Sequence, residues 1–161
     1  MLDSGPMTEP TVVIRPTDRL DHDQWAALFR AYREFYRLNP DEAVVERVWS
    51  WIGDPGHETN ALVAATGNGA LVGIAHYRRF ARPSTGSMGI YLDDLFTDIE
   101  HRGTGVGRAL ITAVTEIGVR EGCSIVRWIT ANDNRTAQRL YESLAIRTSW
   151  LTYDRLCRQG L

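Results

Sequence analysis

An α/β domain in the order β-α-α-β-β-β-α-β-α-β is the fold class this sequence predicts, and three observations carry it. Apolar residues recur at spacings of three and four in some segments and cluster in short runs in others, so helix-like and strand-like stretches alternate. Gly67-Asn68-Gly69 separates two strand-like runs and marks a hairpin. The run Ile90-Tyr91-Leu92-Asp93-Asp94-Leu95-Phe96-Thr97 empties into the glycine-rich stretch Arg102-Gly103-Thr104-Gly105-Val106-Gly107, which opens a helix. A strand feeding a helix through such a turn belongs to layered α/β architecture.

Val12 to Arg15 is the first strand. Trp25, Leu28, Phe29, Tyr32, Phe35 and Tyr36 then place six large apolar groups on one face of a helix, with Asp21 or Asp23 as its cap. Pro40 breaks that helix. A second spans Asp41 to Ile52, striped by Val44, Val45, Val48, Trp51 and Ile52, and Gly53-Asp54-Pro55-Gly56 ends it. Ala61 to Thr66 and Leu71 to Arg79 form the hairpin, and Pro83 to Gly86 turns the chain into the long strand that ends near Thr97. Val106, Leu110, Ala113, Val114 and Ile117 stripe the next helix, which Gly122 suits as a C-terminal cap. Ser124 to Thr130 is the following strand. Ala137, Leu140, Tyr141 and Leu144 line a last helix, capped by Asp133 or Asn134, and Arg147 to Leu156 is expected to close the sheet. Residues 1 to 10, with Pro6 and Pro10, read as a loose tail, and 11 to 161 as one domain.

Composition bounds the function. At 161 residues, with 43% hydrophobic and 24% charged residues, the chain is the size of one globular domain that can bury a core. No apolar run reaches bilayer-spanning length, and the first residues show neither the basic segment nor the apolar core of a secretory signal. Cys123 and Cys157 are too few for a disulfide framework and have no metal-ligand spacing, which fits a reducing cytoplasm. His22, His57 and His101 likewise show no metal spacing and read as surface residues, so no metal is expected. A net charge of -2 argues against nucleic acid as the main partner and is compatible with a small cationic one.

The turn after the long strand is chemically specific. Backbone N–H groups and the positive end of a helix dipole converge there, an arrangement that holds a phosphate or pyrophosphate. A P-loop needs a Lys-Ser/Thr pair after the last glycine, but Arg108-Ala109 follows Gly107. The dinucleotide fingerprint needs glycine at 108 or 110, where Arg108 and Leu110 stand. Arg-x-x-Gly-x-Gly, over Arg102, Gly105 and Gly107, does fit; glycines serving only a tight turn is the plain alternative. Downstream, Asn134-Arg135-Thr136-Ala137-Gln138-Arg139-Leu140-Tyr141 supplies Asn-x-x-Ala-x-x-Leu-Tyr. In this order and at this distance, the two motifs resemble those of the GNAT superfamily of N-acetyltransferases, over nearly the whole stretch from Thr11 to Leu156.

The resemblance implies a sheet whose central parallel strands splay apart, with acetyl-coenzyme A in the wedge. Pantetheine would lie along Leu95, Phe96 and Thr97 and beside Asn134. Pyrophosphate would sit on the backbone of Gly103, Thr104, Gly105, Val106, Gly107 and Arg108, with charge from Arg102 and Arg108. Arg102 has a surface salt bridge as its alternative role, and Asn134 a helix cap. The implied activity is acetyl transfer to a primary amine of a small molecule, such as a polyamine or amino acid, or to a lysine side chain, by direct attack in a ternary complex. A catalytically silent acyl-coenzyme A sensor is the alternative from another class.

Amine attack requires loss of a proton, and a carboxylate can take it. Asp93 and Asp94 are the candidates, and strand alternation puts them on opposite faces. Asp93 is favoured because Tyr91-Leu92-Asp93-Asp94-Leu95-Phe96 is similar to the corresponding run of spermidine/spermine N-acetyltransferases; Asp94 is kept as substrate-binding. A strand N–H near Phe96 or Thr97 is the oxyanion donor. The resemblance marks Tyr141 as general acid, although a tyrosine on an apolar stripe is also a plain core aromatic. Tyr32, Tyr36 and His76 are expected to line the acceptor site, whereas Trp25, Phe29 and Phe35 read as core. The aromatic segments around Tyr32, Trp49, Trp128 and Trp150 resemble the polyamine and histone acetylating subgroup. The chain departs from the family at Ala145-Ile146, where a glycine and a phenylalanine are usual, and at Thr97, usually valine. A homodimer is expected by family analogy, with the C-terminal strand as its contact.

Overall fold

A computed structural model describes residues 11 to 157, so the expected tail over residues 1 to 10 lies outside the described residues. The chain divides into two compact units, one ending at Ile129 and the other beginning at Thr130. The first holds a five-stranded sheet in the order β1-β2-β3-β4-β5, built from Val13–Pro16, Asn60–Ala65, Leu71–Arg82, Ser87–Thr97 and Val126–Arg127. Strands β1 to β4 pair antiparallel, and β5 joins β4 in parallel. Three helices accompany them: α1 (His22–Phe35), α2 (Glu42–Gly53) and α3 (Val106–Arg120).

Alternation along β3 sorts the layers. Ile74 packs with Trp25, Phe29, Val45, Val63 and Phe96 in the core under α1 and α2. Its neighbour Gly73 points the other way, where an added Cβ would lie 2.8 Å from Val106 and 3.1 Å from Leu110 on α3. Gly73 is therefore a close-approach glycine that lets α3 lie against the sheet. The helix ends follow local rules. Asp18 caps a 3₁₀ turn, Arg19–Asp21, that leads into α1; its carboxylate accepts from the Leu20 N–H while Asp21 accepts from the Asp18 N–H. Asp21, one of the two expected caps, stands at the N-cap position of α1, but its carboxylate makes no cap hydrogen bond to that helix because Arg15 holds it at 2.6 and 2.9 Å. Asp41, read as the first residue of the second helix, is instead its cap, accepting from the Ala43 and Val44 N–H groups.

At the end of α1, the Leu38 N–H donates to the Arg33 carbonyl and the Arg37 N–H to that of Glu34, with Arg37 at φ 56°. This Schellman closure stops the helix before Pro40 is reached. The same pattern closes α3: Cys123 N–H to Gly118 C=O and Gly122 N–H to Val119 C=O, with Gly122 at φ 69°. Gly122 therefore caps as expected. In the hairpin, Thr66 and Ala70 pair at 2.9 Å across the Gly67-Asn68-Gly69 turn.

Two strand expectations need correction. Of the strand read over Ser124 to Thr130, only Val126–Arg127 joins a ladder, as partners of Ile90 and Tyr91. Strand β4 continues through Leu92–Thr97 with no β5 residue in register, which is the divergence of parallel neighbours expected of this fold. In the second unit, Arg147 to Leu156 carries no regular secondary structure, and Ile146, Trp150, Leu151, Tyr153 and Leu156 are exposed. A strand exists only through a partner ladder, and apolar content alone does not supply one. What that unit does contain is α4, Arg135–Glu142. Asn134 caps it by accepting from the Ala137 N–H at 3.3 Å.

Candidate active site

The site begins with one irregularity in β4. His76 pairs with Asp94, but the next residue, Tyr77, pairs with Leu92, leaving Asp93 as an extra residue in the ladder. This β-bulge breaks the alternation that put the two aspartates on opposite faces. His76 and Arg78 lie two apart on β3 and share a face, and each meets one aspartate. His76 Nδ1 is 2.8 Å from Asp94 Oδ2, and Arg78 Nε is 3.2 and 3.1 Å from the Asp93 oxygens. Both carboxylates therefore stand on the α1 side of the sheet, correcting the opposite-face expectation.

Their surroundings push them apart. Burial raises the Asp93 carboxyl above the ordinary aspartate value, Asp94 adds to this, and the Arg78 charge only partly opposes it. Burial acts on Asp94 in the same sense, but the hydrogen bond from His76, together with Tyr32 and the Arg33 charge, outweighs it and holds the carboxyl below its usual value. Tyr32, half-buried on α1, is pushed upward by burial and by Asp94 beside it. Two neighbouring carboxyls thus differ in readiness to hold a proton, the pattern that separates a base from a fixed charge.

The other expected site residues are placed as follows. Tyr36 stacks at a tilt on Tyr32, ring centroids 5.0 Å apart, and Tyr32 meets Phe96 edge-on at 6.3 Å. His76, expected to line the site, is instead only 1% exposed and reaches it through Asp94. Trp25 and Phe29 are core as expected, but Phe35 is exposed. It forms one side of a seat for Arg102, whose guanidinium lies 5.0 Å from the Phe35 ring and 5.3 Å from the Phe96 ring, while Nε donates to the Thr97 carbonyl at 3.1 Å. Arg102 thus ties α1 to the end of β4. Leu95 and Thr97 are half-buried and Phe96 is buried at that end.

Gly103 and Gly105 adopt φ 73° and 90°, a left-handed conformation that disfavours any side chain. Nothing lies within 4 Å of where a Cβ on either would stand, so the loop faces open space. The Thr104 hydroxyl donates to the His101 carbonyl and draws the loop closed. Val106, Gly107 and Arg108 form the first turn of α3, so the positive end of that helix's dipole lies at the loop. The residues present therefore fit a pyrophosphate. In the second unit, Asn134 and Tyr141 lie at the cap and in the last turn of α4, and the Thr130 hydroxyl is buried without a hydrogen-bond partner. Among the described residues no group of three His, Cys, Asp or Glu could hold a metal ion, and no helix is long and apolar enough to cross a membrane.

Sequence reasoning missed Arg78 and the bond that the Trp25 Nε1–H donates to His76 Nε2 at 2.9 Å. A cross-strand partner such as Arg78 becomes visible only once the bulge fixes the register. Trp25 carried one usable signal: a buried indole N–H needs an acceptor.

Comparison with known proteins identifies the family. Residues 25–145 match the model of the acetyltransferase (GNAT) family. The D-amino-acid N-acetyltransferase HPA3 of Saccharomyces cerevisiae is 28% identical over 150 residues, covering 92% of this chain and 93% of its own. The uncharacterized N-acetyltransferase YhfO of Bacillus subtilis is 32% identical over 130 residues, covering 80% and 85%. A crystal structure of a ribosomal-protein-alanine N-acetyltransferase from Brucella melitensis biovar Abortus superposes with a TM-score of 0.74 at 24% identity, covering 93% of this chain and all of that one. The chain belongs to the acetyltransferase (GNAT) family and is an acetyl-CoA-dependent N-acetyltransferase.

Proposed function

We propose that this enzyme acetylates a primary amine of a small cationic molecule, an amino acid or polyamine rather than a bulky polymer, by direct attack in a ternary complex. The observation that carries the reading is the pair of carboxylates brought to one face by the Asp93 bulge, one raised and one lowered. Asp94, held ionised, attracts the ammonium form of the acceptor, and the rings of Tyr32 and Tyr36 offer faces suited to a cation. Asp93 takes the proton that must leave before attack, its raised pKa bringing it closer to neutral pH. HPA3, whose name gives D-amino acids as its acceptors, supports a small amine carrying its own charge.

Acetyl-CoA supplies the activated acetyl group. The loop from Gly103 to Arg108 binds its pyrophosphate through backbone N–H groups, Arg102 holds that loop's approach to Thr97, and Leu95, Phe96 and Thr97 offer backbone for the pantetheine arm. Asn134 and Tyr141 keep the roles that their motif implies: a pantetheine contact, and a proton donor to the departing thiolate. Residues 11 to 161 act as one catalytic domain, in the cytoplasm and as a homodimer, whose mass light scattering would report.

Separate replacement of the two aspartates tests the division of labour. Asp93→Asn should lower kcat by ~10²-fold or more with little change in KM, as loss of a general base does. Asp94→Asn should instead raise the acceptor KM by roughly tenfold or more. Unchanged kinetics in both variants would refute the assignment.

A further inference from the structure

We infer that Trp25 and His76 are positioning residues that set the charge of the acceptor site, with the indole locking His76 as its neutral Nδ1–H tautomer so that the His76–Asp94 pair keeps one net negative charge for a cationic amine. The inference deepens the proposed function and rests on its reading of Asp94 as the acceptor's anionic partner.

The argument is one of donors and acceptors. Trp25 is fully buried, and its Nε1–H lies 2.9 Å from His76 Nε2. An indole nitrogen can only donate, so Nε2 must accept and carries no proton. A neutral imidazole has one proton, which therefore sits on Nδ1 and is donated to Asp94 Oδ2 at 2.8 Å. His76 cannot turn out of this arrangement. It is 1% exposed, with the Trp25 ring 5.7 Å and the Phe29 ring 5.1 Å away. Protonating Nε2 would set two N–H groups against each other where no water can separate them.

The consequence concerns charge. A histidine beside an aspartate can become an imidazolium and cancel the carboxylate, leaving nothing to attract a cation. Here the indole forbids the second proton, so the pair carries the aspartate's charge alone. Other groups around the pair do not replace this device: Tyr32, Arg33 and Tyr36 approach from α1, Asp93 from β4, and Arg78 from β3, where it is committed to Asp93. Among the described residues, the indole N–H is the contact that decides the proton count on the ring.

Nitrogen NMR on the full chain, labelled in histidine, tests this without reference to turnover. His76 should show a protonated Nδ1 and an unprotonated Nε2. A ring with both nitrogens protonated, or the opposite tautomer, would overturn the inference even if the enzyme acetylates amines as proposed. Failure of acetyl transfer on every acceptor, with the tautomer as expected, would instead count against the proposed function. The kinetic arm uses Trp25→Phe, which keeps an aromatic ring and removes the donor. The variant's acceptor KM should rise by ~10-fold while kcat holds, because the pair can now become neutral. Adding His76→Asn, which keeps an N–H for Asp94 but cannot gain a proton, should abolish that rise. A Trp25→Phe enzyme whose KM follows the parent's at every pH would contradict the role; if it fails to fold, the spectrum of the parent protein decides.

Discussion

With Asp93 as the proposed base, the pH behaviour turns on this residue. A carboxylate base works only when ionised, so activity is present above its pKa and lost as pH falls through it. Because burial raises Asp93, the acid limb of kcat/KM should lie above the ordinary aspartate range. Arg78 opposes that rise, so Arg78→Ala should move the limb to still higher pH; a limb that stays in place would remove Asp93 from the profile. Tyr141 makes a separate prediction. Tyr141→Phe should lower kcat by ~10²-fold while leaving acetyl-CoA affinity nearly unchanged, as measured by steady-state rates and by calorimetry. An unaltered kcat would leave Tyr141 a plain helix aromatic. Which residues were legible in the sequence follows from the range of the interaction involved. Asn134 and Tyr141 are seven residues apart on one local motif, and could be named at once. The Trp25–His76 bond joins residues 51 apart, and no periodicity encodes it.

Helices and turns obey the same distinction. The Asn134 cap and the Gly122 closure depend on neighbours within a turn or two, and each stands where its residues imply, whereas the α1 stripe loses Phe35 to the surface. Strand pairing depends on distant partners. The Asp93 bulge is a property of two strands in register, so reading β4 alone gave alternation and the wrong face for one aspartate. Likewise the apolar residues from Ile146 to Leu156 suggested a strand that has no ladder. Pro40 was credited with ending α1, but Arg37 does so in a left-handed conformation that disfavours a side chain. Arg37→Gly should therefore stabilise the protein by about 1 kcal/mol, seen as a higher urea midpoint. A midpoint that falls would mean the Arg37 side chain contributes more than its backbone costs.

At the scale of the whole molecule, the fold delivers two things that chemistry needs in different forms. The glycine loop at the head of α3 offers backbone donors, which carry no charge to titrate and suit a pyrophosphate that every turnover shares. The α1 face of the sheet offers side-chain carboxylates whose charge is individually set, which suits a cationic acceptor. A modest net charge of -2 is consistent with both, since the proposed selectivity lies in one pair rather than in the overall field. The rival account, a domain that binds acyl-CoA without using it, would need neither the bulge nor the contrast between Asp93 and Asp94. Initial-rate measurement of thiol release from acetyl-CoA, across amino acids, polyamines and lysine peptides, separates the two. Intersecting double-reciprocal lines with a small cationic amine, and no release without an acceptor, are the result predicted here; tight acetyl-CoA binding with no acceptor accelerating thiol release would contradict it.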